Sequence, residues 1–330
     1  MLTIAIPTYN RNKEVVETIS SILRQLNDNC NLLILDNASD IAVSDSILEK
    51  GIDLNEYSHV KLIRNNTNIG AAANLLRCIE LCSTGWLWIL GDDDLPKSDS
   101  VNEVLKDLYT YSDFTFINYC SLHHKRENQV ISSGITEFLN AMNNWGQINF
   151  TSLCILNADQ LKPYLRFGFM YAYSWSCINA CLFSRIVDKG GKALFSDKII
   201  LSEIDRADND NKWIPLGPHF GKNVLLELLP ENSDKKLLAA KMNAKPALEY
   251  VVCVLLNLIA DTKNKNHYIY IYKNMIYRIY YFDSSIFLKI KFLVYGLLLR
   301  FPKIGLNVAN FLLERRNQAV TINTNQFNRT

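Results

Sequence analysis

Short apolar runs alternate with amphipathic stretches over the first third of the chain. Thr3–Pro7 predicts a buried strand, and Asn12–Leu26 a helix with Val15, Val16, Ile19, Ile22 and Leu23 on one side. Leu32–Leu35 predicts a second strand ending at Asp36, and Val60–Ile63 a third. Ala71–Cys82 carries a helical pattern, and Trp86–Leu90 is a fourth strand running into Gly91-Asp92-Asp93-Asp94. Val101–Tyr109 is helical and Phe114–Asn118 a fifth strand. Strands spaced by helices of this length predict βαβ units and a parallel sheet, hence an α/β fold. Residues 119–150 show no clear period, which suits a linker or loop. Thr151–Ile155 predicts a further strand, Tyr173–Val187 a helix and Lys198–Glu203 a strand; Lys245–Arg316 is helical, apolar and aromatic.

In an open α/β sheet, ligands bind beyond the carboxyl ends of the strands. The chain places its polar residues there: Thr8, Asn10 and Arg11, then Asp36 and Asn37, then Asn65, Asn66 and Asn68, then Asp92, Asp93 and Asp94. Turns are polar in any protein, and that accounts for the asparagines. It does not account for three successive aspartates after Trp-Ile-Leu.

Composition narrows the possibilities. With 330 residues, one large or two smaller units are expected; 48% hydrophobic and 21% charged residues are ordinary for a folded protein. A net charge of +2 gives no global field to recruit nucleic acid. None of the eight cysteines forms a Cys-x-x-Cys pair. Cys78/Cys82 and Cys177/Cys181 are spaced to share helix faces, and their apolar neighbours favour buried thiols over a zinc site. That usage suits a reducing cytosol. Residues 1–8 lack a basic leader and read as a strand, not a signal peptide. No uninterrupted apolar run reaches the roughly 18 residues of a membrane span.

Adjacent carboxylates repel one another unless a cation or donors neutralise them. A hard divalent ion, Mg2+ or Mn2+, suits oxygen ligands and keeps positions open for phosphate. Helix capping needs one aspartate, not three. Asp36 could accept from a ribose hydroxyl or base N–H, or simply make a turn before Asn37. Asn68-Ile69-Gly70 opens a helix whose free N–H groups favour phosphate. No G-x-G-x-x-G follows the first strand and no G-x-x-x-x-G-K-[ST] is present, which argues against a dinucleotide dehydrogenase and a P-loop enzyme.

Taken in order, Ile4-Ala5-Ile6-Pro7-Thr8-Tyr9-Asn10-Arg11, Leu33-Ile34-Leu35-Asp36-Asn37-Ala38-Ser39-Asp40, Asn66-Thr67-Asn68-Ile69-Gly70 with Asn74, and Trp88-Ile89-Leu90-Gly91-Asp92-Asp93-Asp94 resemble the family-2 glycosyltransferases of the GT-A fold. The resemblance covers residues 1 to about 120, a usual domain size. More loosely, the rest is similar to bacterial O-antigen and capsule sugar transferases, including abequosyltransferase-like members. It implies a Rossmann-like, mostly parallel sheet flanked by helices, with a donor-binding domain at 1–120, an acceptor-binding part at 121–240 and a helical region at 241–330. Thr8, Arg11, Asp36, Asn68, Gly70, Asn74 and Asp92 would contact the nucleotide sugar. The aspartates stand for the family's Asp-x-Asp motif, with its register open. The letters fit Asp92 and Asp94, while alignment through Ser98-Asp99 puts the ligand at Asp93. Asp93 and Asp94 are assigned to the metal.

The implied reaction is an inverting, metal-dependent transfer from a nucleotide sugar to a polyprenyl-diphosphate-linked glycan. Its place would be the cytoplasmic face of the bacterial plasma membrane. The chain departs from the family at Tyr171-Ala172-Tyr173-Ser174-Trp175-Ser176, where a carboxylate or His often supplies the base, and it lacks a Gln-x-x-Arg-Trp motif. Asp208 and Asp210 are the candidate bases; an Asx-rich turn explains them equally well. Arg206 is either a phosphate ligand or a surface charge. Val251–Ala260 and Ile286–Phe301 are apolar but interrupted by Asn257, Lys289, Lys291 and Gly296, with Tyr268, Tyr270, Tyr272, Tyr277, Tyr280 and Tyr281 nearby. The expectation is packed helices exposing one basic-aromatic face to a membrane surface. Two alternatives stand: a catalytically inactive scaffold of the same fold, and a sugar nucleotidyltransferase, which would want a Gly-rich basic loop where Pro7-Thr8-Tyr9-Asn10 lies.

Overall fold

The computed structural model describes residues 1–122, 125–143, 145–172, 176–202, 223–242 and 285–301, with short stretches between 255 and 273 and between 303 and 311. The chain divides into two compact units, one of residues 1–173 with 177–207, the other of 174–176 with 208–330.

The first unit is built on an eight-stranded sheet. Its strands are β1 (Leu2–Thr8), β2 (Cys30–Asp36), β3 (Val60–Arg64), β4 (Trp86–Ile89), β5 (Phe116–Cys120), β6 (Val130–Ser133), β7 (Cys154–Asn157) and β8 (Lys192–Ile199). They lie in the order β3-β2-β1-β4-β7-β5-β8-β6. The first four are parallel neighbours, with Thr8 opposite Asp36 and Asp36 opposite Arg64. Helices α1 (Asn12–Leu23), α2 (Val43–Glu49), α3 (Ala71–Leu81) and α4 (Ser100–Thr110) connect this half. Each turns one apolar stripe to the sheet: in α1 Val15, Val16, Ile19 and Ile22 are buried, in α4 Val101, Val104, Leu105 and Leu108. Their side chains join Ile4, Ile6, Ile34, Trp88 and Ile117 in one core.

Beyond β4 the sheet becomes mixed. β7 runs antiparallel between β4 and β5, and β6 antiparallel to β8. Three expectations need correction here. Residues 119–150 are not an aperiodic linker; they hold β6, α5 (Gly134–Ala141) and α6 (Trp145–Asn149). These pieces span four, eight and five residues, too short for a period to emerge from the polar residues around them. The strand expected at 151–155 begins only at Cys154, after a 3-10 turn at Thr151–Leu153. The strand expected at 198–203 is Lys192–Ile199, and Leu201 keeps an isolated bridge to Pro96. Gly190-Gly191 starts that strand earlier than the apolar pattern suggests, both glycines having positive φ.

The remaining helices of this unit, α7 (Ala158–Leu161), α8 (Leu165–Met170) and α9 (Cys177–Lys189), follow β7. Gly168 lets α8 sit close to α3 and α9; a Cβ there would fall 2.4 Å from Leu76 Cδ2 and 2.6 Å from Cys181 Sγ. Cys78, Cys82, Cys177 and Cys181 are buried free thiols, and burial pushes Cys78 beyond the usual thiol range and Cys177 and Cys181 up to about 12. They are packing residues, as their neighbours predict. Among the described residues, no three His, Cys, Asp or Glu gather as a metal cage.

In the second unit the described helices are Asn223–Leu228, Asn232–Met242 and Ile286–Leu298. No helix among the described residues is long and apolar enough to cross a membrane.

Trp88 shows how the core and the sheet edge are tied. It is fully buried, and its indole N–H donates to the Ser152 carbonyl at 2.9 Å. Trp88→Ala is expected to cost about 3–5 kcal/mol in urea unfolding. Tyr109→Ala, on the exposed side of α4, should stay within about 0.5 kcal/mol of the parent.

Candidate active site at the carboxyl edge of the sheet

The loops after β1, β2, β3 and β4 meet along one edge, because parallel strands all end on the same side. Two kinds of side chain occupy that edge, and they behave differently.

The first kind is amide. Asn37 Nδ2 donates to Asn68 Oδ1 at 2.7 Å, Asn65 Nδ2 to Asn37 Oδ1 at 2.9 Å and to Asn74 Oδ1 at 3.0 Å, and the Ile69 amide to Asn37 Oδ1 at 3.1 Å. Asn74, buried on α3, donates to the Leu35 carbonyl at 3.2 Å. The Gly70 amide donates to Asn68 Oδ1 at 2.8 Å, and Gly70 itself has φ 85, the left-handed region. Each amide side chain carries both donor and acceptor, so this group closes on itself. A second seam joins the first two loops. The Asn10 amide donates to Ser39 Oγ and the Asp40 amide to Asn10 Oδ1, at 2.9 and 2.7 Å. Asn10 and Ala38 both take positive φ to make it.

Asp36 belongs with this scaffold. Its side chain is fully buried and accepts from the Ser39 amide at 2.8 Å, the Val43 amide at 3.3 Å and Arg64 Nη1. Burial pushes its carboxyl up, but the Ser39, Arg64 and Val43 donors outweigh that and hold it below the usual carboxylate range. The structure thus brings Asp36 to the edge while turning its oxygens inward.

The second kind is the acidic turn. Gly91 and Asp94 close it through Asp94 N–H to the Gly91 carbonyl at 3.1 Å. Asp92 is buried; Thr8 Oγ1 donates to it at 2.7 Å and Arg11 Nη1 at 2.8 Å, while Thr18 Oγ1 donates to its carbonyl at 2.9 Å. Arg11 Nη2 reaches Asp93, so one guanidinium spans two carboxylates. Burial raises the Asp92 carboxyl to about 7, with Asp93 and Glu14 adding to the rise, against the pull of Arg11 and Thr8. Burial works the other way on Arg11, yet Asp92 and Asp93 outweigh it and raise its pKa. Arg11 is a charge held by its partners.

Asp94 is handled separately. Ser152 Oγ donates to its Oδ2 at 2.5 Å and accepts from the Gly91 amide at 2.8 Å. A Cβ on Gly91 would lie 2.5 Å from that same Oδ2 and 3.3 Å from Ser152 Oγ, so a larger residue there would displace the Asp94 carboxylate. Just beyond, the Lys97 amide donates to the Ile200 carbonyl and the Ser202 amide to the Leu95 carbonyl, pinning the turn to the chain after β8.

Thr8, Arg11, Asp92 and Asp93 therefore form one connected cluster, with Asp94 tied to Ser152 on the same turn. Asn68, Gly70 and Asn74 lie in the amide network. Asp208, Asp210 and Arg206 lie outside the described residues. Sequence reasoning missed Ser152, Arg64 and Thr18. A lone Ser in an aperiodic stretch carries no signal, whereas Arg64, one strand over from Asp36, could have been found from the parallel register.

An open sheet, parallel over its first four strands and bearing an acidic turn at the end of β4, defines the class: this is a GT-A fold. Residues 3–148 match the family described as Glycosyl transferase family 2, and that segment of the chain is a family 2 domain. An uncharacterized glycosyltransferase of Haemophilus influenzae is 29% identical over 137 residues, 41% of this chain and 42% of that one. Abequosyltransferase RfbV of Salmonella typhimurium is 33% identical over 116 residues, 34% of this chain and 33% of that one. The matched stretch spans less than half the length of either relative. Residues 1–349 of S. aureus TarS share the fold with a TM-score of 0.58 at 12% identity, covering 98% of this chain and 93% of that one. The same fragment in complex with UDP and with UDP-GlcNAc gives 0.56 and 0.53.

The Arg11–Asp92 contact is testable on its own. Arg11→Met leaves a buried carboxylate without its guanidinium and should lower stability by about 1–3 kcal/mol. Adding Asp92→Asn should recover most of that loss. A double-mutant cycle in urea measures both.

Proposed function

We infer that the protein is a glycosyltransferase. It moves a sugar from a nucleotide-sugar donor to a polyprenyl-diphosphate-linked glycan in bacterial surface-polysaccharide assembly, O-antigen or capsule, at the cytoplasmic face of the plasma membrane. The observation that carries the reading is the acidic turn Asp92–Asp94, held by Thr8, Arg11 and Ser152 at the carboxyl edge of a family 2 domain. TarS supports a nucleoside diphosphate as the leaving group, since that fold neighbour binds UDP and UDP-GlcNAc.

The donor set fits a hard divalent cation. Asp93 and Asp94 offer carboxylate oxygens on one tight turn, and Mg2+ or Mn2+ takes one or two carboxylates plus phosphate oxygens rather than a full protein cage. Asp93 and Asp94 would hold the ion, and bound there it would offset charge on the two phosphates of the leaving group. Asp92 has a different part. Buried against Thr8 and Arg11, it fixes the turn's direction and keeps the guanidinium beside the donor phosphates. Asp36 contributes to the base and ribose site through the turn from Ser39 to Val43 and through Arg64, which it positions. Asn68, Gly70 and Asn74 shape the loop at the start of α3, whose leading N–H groups face the donor.

In the reaction, an acceptor hydroxyl oxygen bonds to the anomeric carbon as the bond to the nucleoside diphosphate breaks, with inversion. The hydroxyl proton goes to a base, for which Asp208 and Asp210 are the candidates. A carboxylate of tuned pKa suits that part.

Calorimetry with UDP, GDP, CDP and dTDP, with and without Mn2+, tests the reading. One nucleotide should bind in a metal-dependent way, and Asp93→Ala or Asp94→Ala should weaken it at least about tenfold with the fold intact by circular dichroism. Failure of all four to bind under any metal condition would bring the inactive scaffold to the front.

A further inference from the structure

We propose that the Ile286–Leu298 helix and the residues just after it form a docking ridge that lies on an anionic lipid bilayer. Helical spacing divides this segment into opposed faces. Phe292, Tyr295 and Leu299 are buried. The Phe292 ring stacks on Tyr272 at 4.3 Å with the planes 3° apart, and the Tyr272 hydroxyl donates to the Phe292 carbonyl at 2.8 Å. Gly296 passes the same ring closely enough that a Cβ would meet it at 3.3 Å. That side of the helix is fastened.

The opposite side is apolar and open. Phe287 is 80% exposed, Ile290 55%, Leu293 66% and Leu297 59%, and Phe301 and Ile304 continue the line. Isolated exposed apolar residues are ordinary, but a continuous ridge marks an interaction surface. The ridge itself is built of Ile, Leu, Val and Phe; of the tyrosines expected on a basic-aromatic face, Tyr270 is exposed and Tyr272 buried, while Tyr268, Tyr277, Tyr280 and Tyr281 lie outside the described residues.

Charge selects the occupant. Lys289 falls on one border of the ridge and Lys291, whose ammonium lies 6.0 Å from the centre of the Tyr295 ring, on the other, with Arg300 and Lys303 following the helix. No Asp or Glu occurs anywhere between Ser285 and Phe311. An apolar ridge with basic borders matches acyl chains beneath anionic headgroups. A second copy of this chain fits worse, because a two-fold contact would bring the same basic borders together with no acid from this segment on either side. The helix is 13 residues long, roughly 20 Å, short of the roughly 30 Å hydrocarbon core. It lies along the interface instead of crossing it.

The ridge rests on the proposed lipid-linked acceptor for its purpose but not for its existence. Flotation with phosphatidylcholine vesicles, and with the same vesicles containing phosphatidylglycerol, reads the docking directly. The full-length protein should float with the anionic vesicles and largely stay behind with the neutral ones. Lys289→Glu with Lys291→Glu should cut binding at least about tenfold, and Phe287→Ser with Leu293→Ser should abolish it. Nucleotide binding without vesicles should be unchanged in all variants, and circular dichroism, whose helical signal includes the second unit, shows that they fold. Equal flotation of parent and variants, or none by the parent, overturns the docking ridge whatever the nucleotide result. Sedimentation that shows a dimer lost in Phe287→Ser with Leu293→Ser assigns the ridge to a second copy instead. Intact docking with no nucleotide binding sinks the transferase reading alone.

Discussion

Three consecutive carboxylates at the mouth of a buried strand are the constraint around which the first unit is arranged. A carboxylate accepts hydrogen bonds and donates none, so a run of them cannot satisfy itself. Donors must come from elsewhere in the fold. Arg11, at the start of α1, serves two of the aspartates, and Thr8, at the end of β1, serves one of those two again. Both residues reach the turn because β1 and β4 are parallel neighbours ending together. Ser152 serves the third from the far side. It sits on the 3-10 turn that leads into β7, the antiparallel strand between β4 and β5. Trp88 and Asn118 fasten that turn through the carbonyls of Ser152 and Leu153.

The parallel half of this arrangement was legible from the residues. β1 to β4 and α1, α3 and α4 follow from apolar runs and stripes that local pattern alone defines. The edge itself was legible because parallel strands deliver their ends together. Pattern reading missed α2, a seven-residue helix between β2 and β3, and most of what lies beyond β5. There the elements are short, and pairing with distant partners decides them more than propensity does. β7 and β6 owe their places to β4, β5 and β8, which no window of neighbouring residues records. Asp36 is a related case. Its type and place suggested a ligand contact, but its partners are two backbone amides and an arginine one strand away. Sequence indicates which carboxylate reaches the edge, not which way it faces.

The contrast between amides and carboxylates along that edge separates scaffold from chemistry. Asn37, Asn65, Asn68 and Asn74 join the loops after β2 and β3 to helix α3, each amide contributing what another lacks. Such a set is rigid and electrically neutral, well suited to shape a pocket wall. The aspartates cannot close on one another, and they draw in a cation, a hydroxyl and a serine instead. One guanidinium shared by Asp92 and Asp93 balances one charge of the two. Under the proposed transfer, a nucleoside diphosphate at this edge would bring further negative charge, and a divalent ion would answer protein and substrate charge together. Neutral amides and the inward-turned Asp36 set the geometry of this edge, and the carboxylates of Asp92, Asp93 and Asp94 gather on one turn.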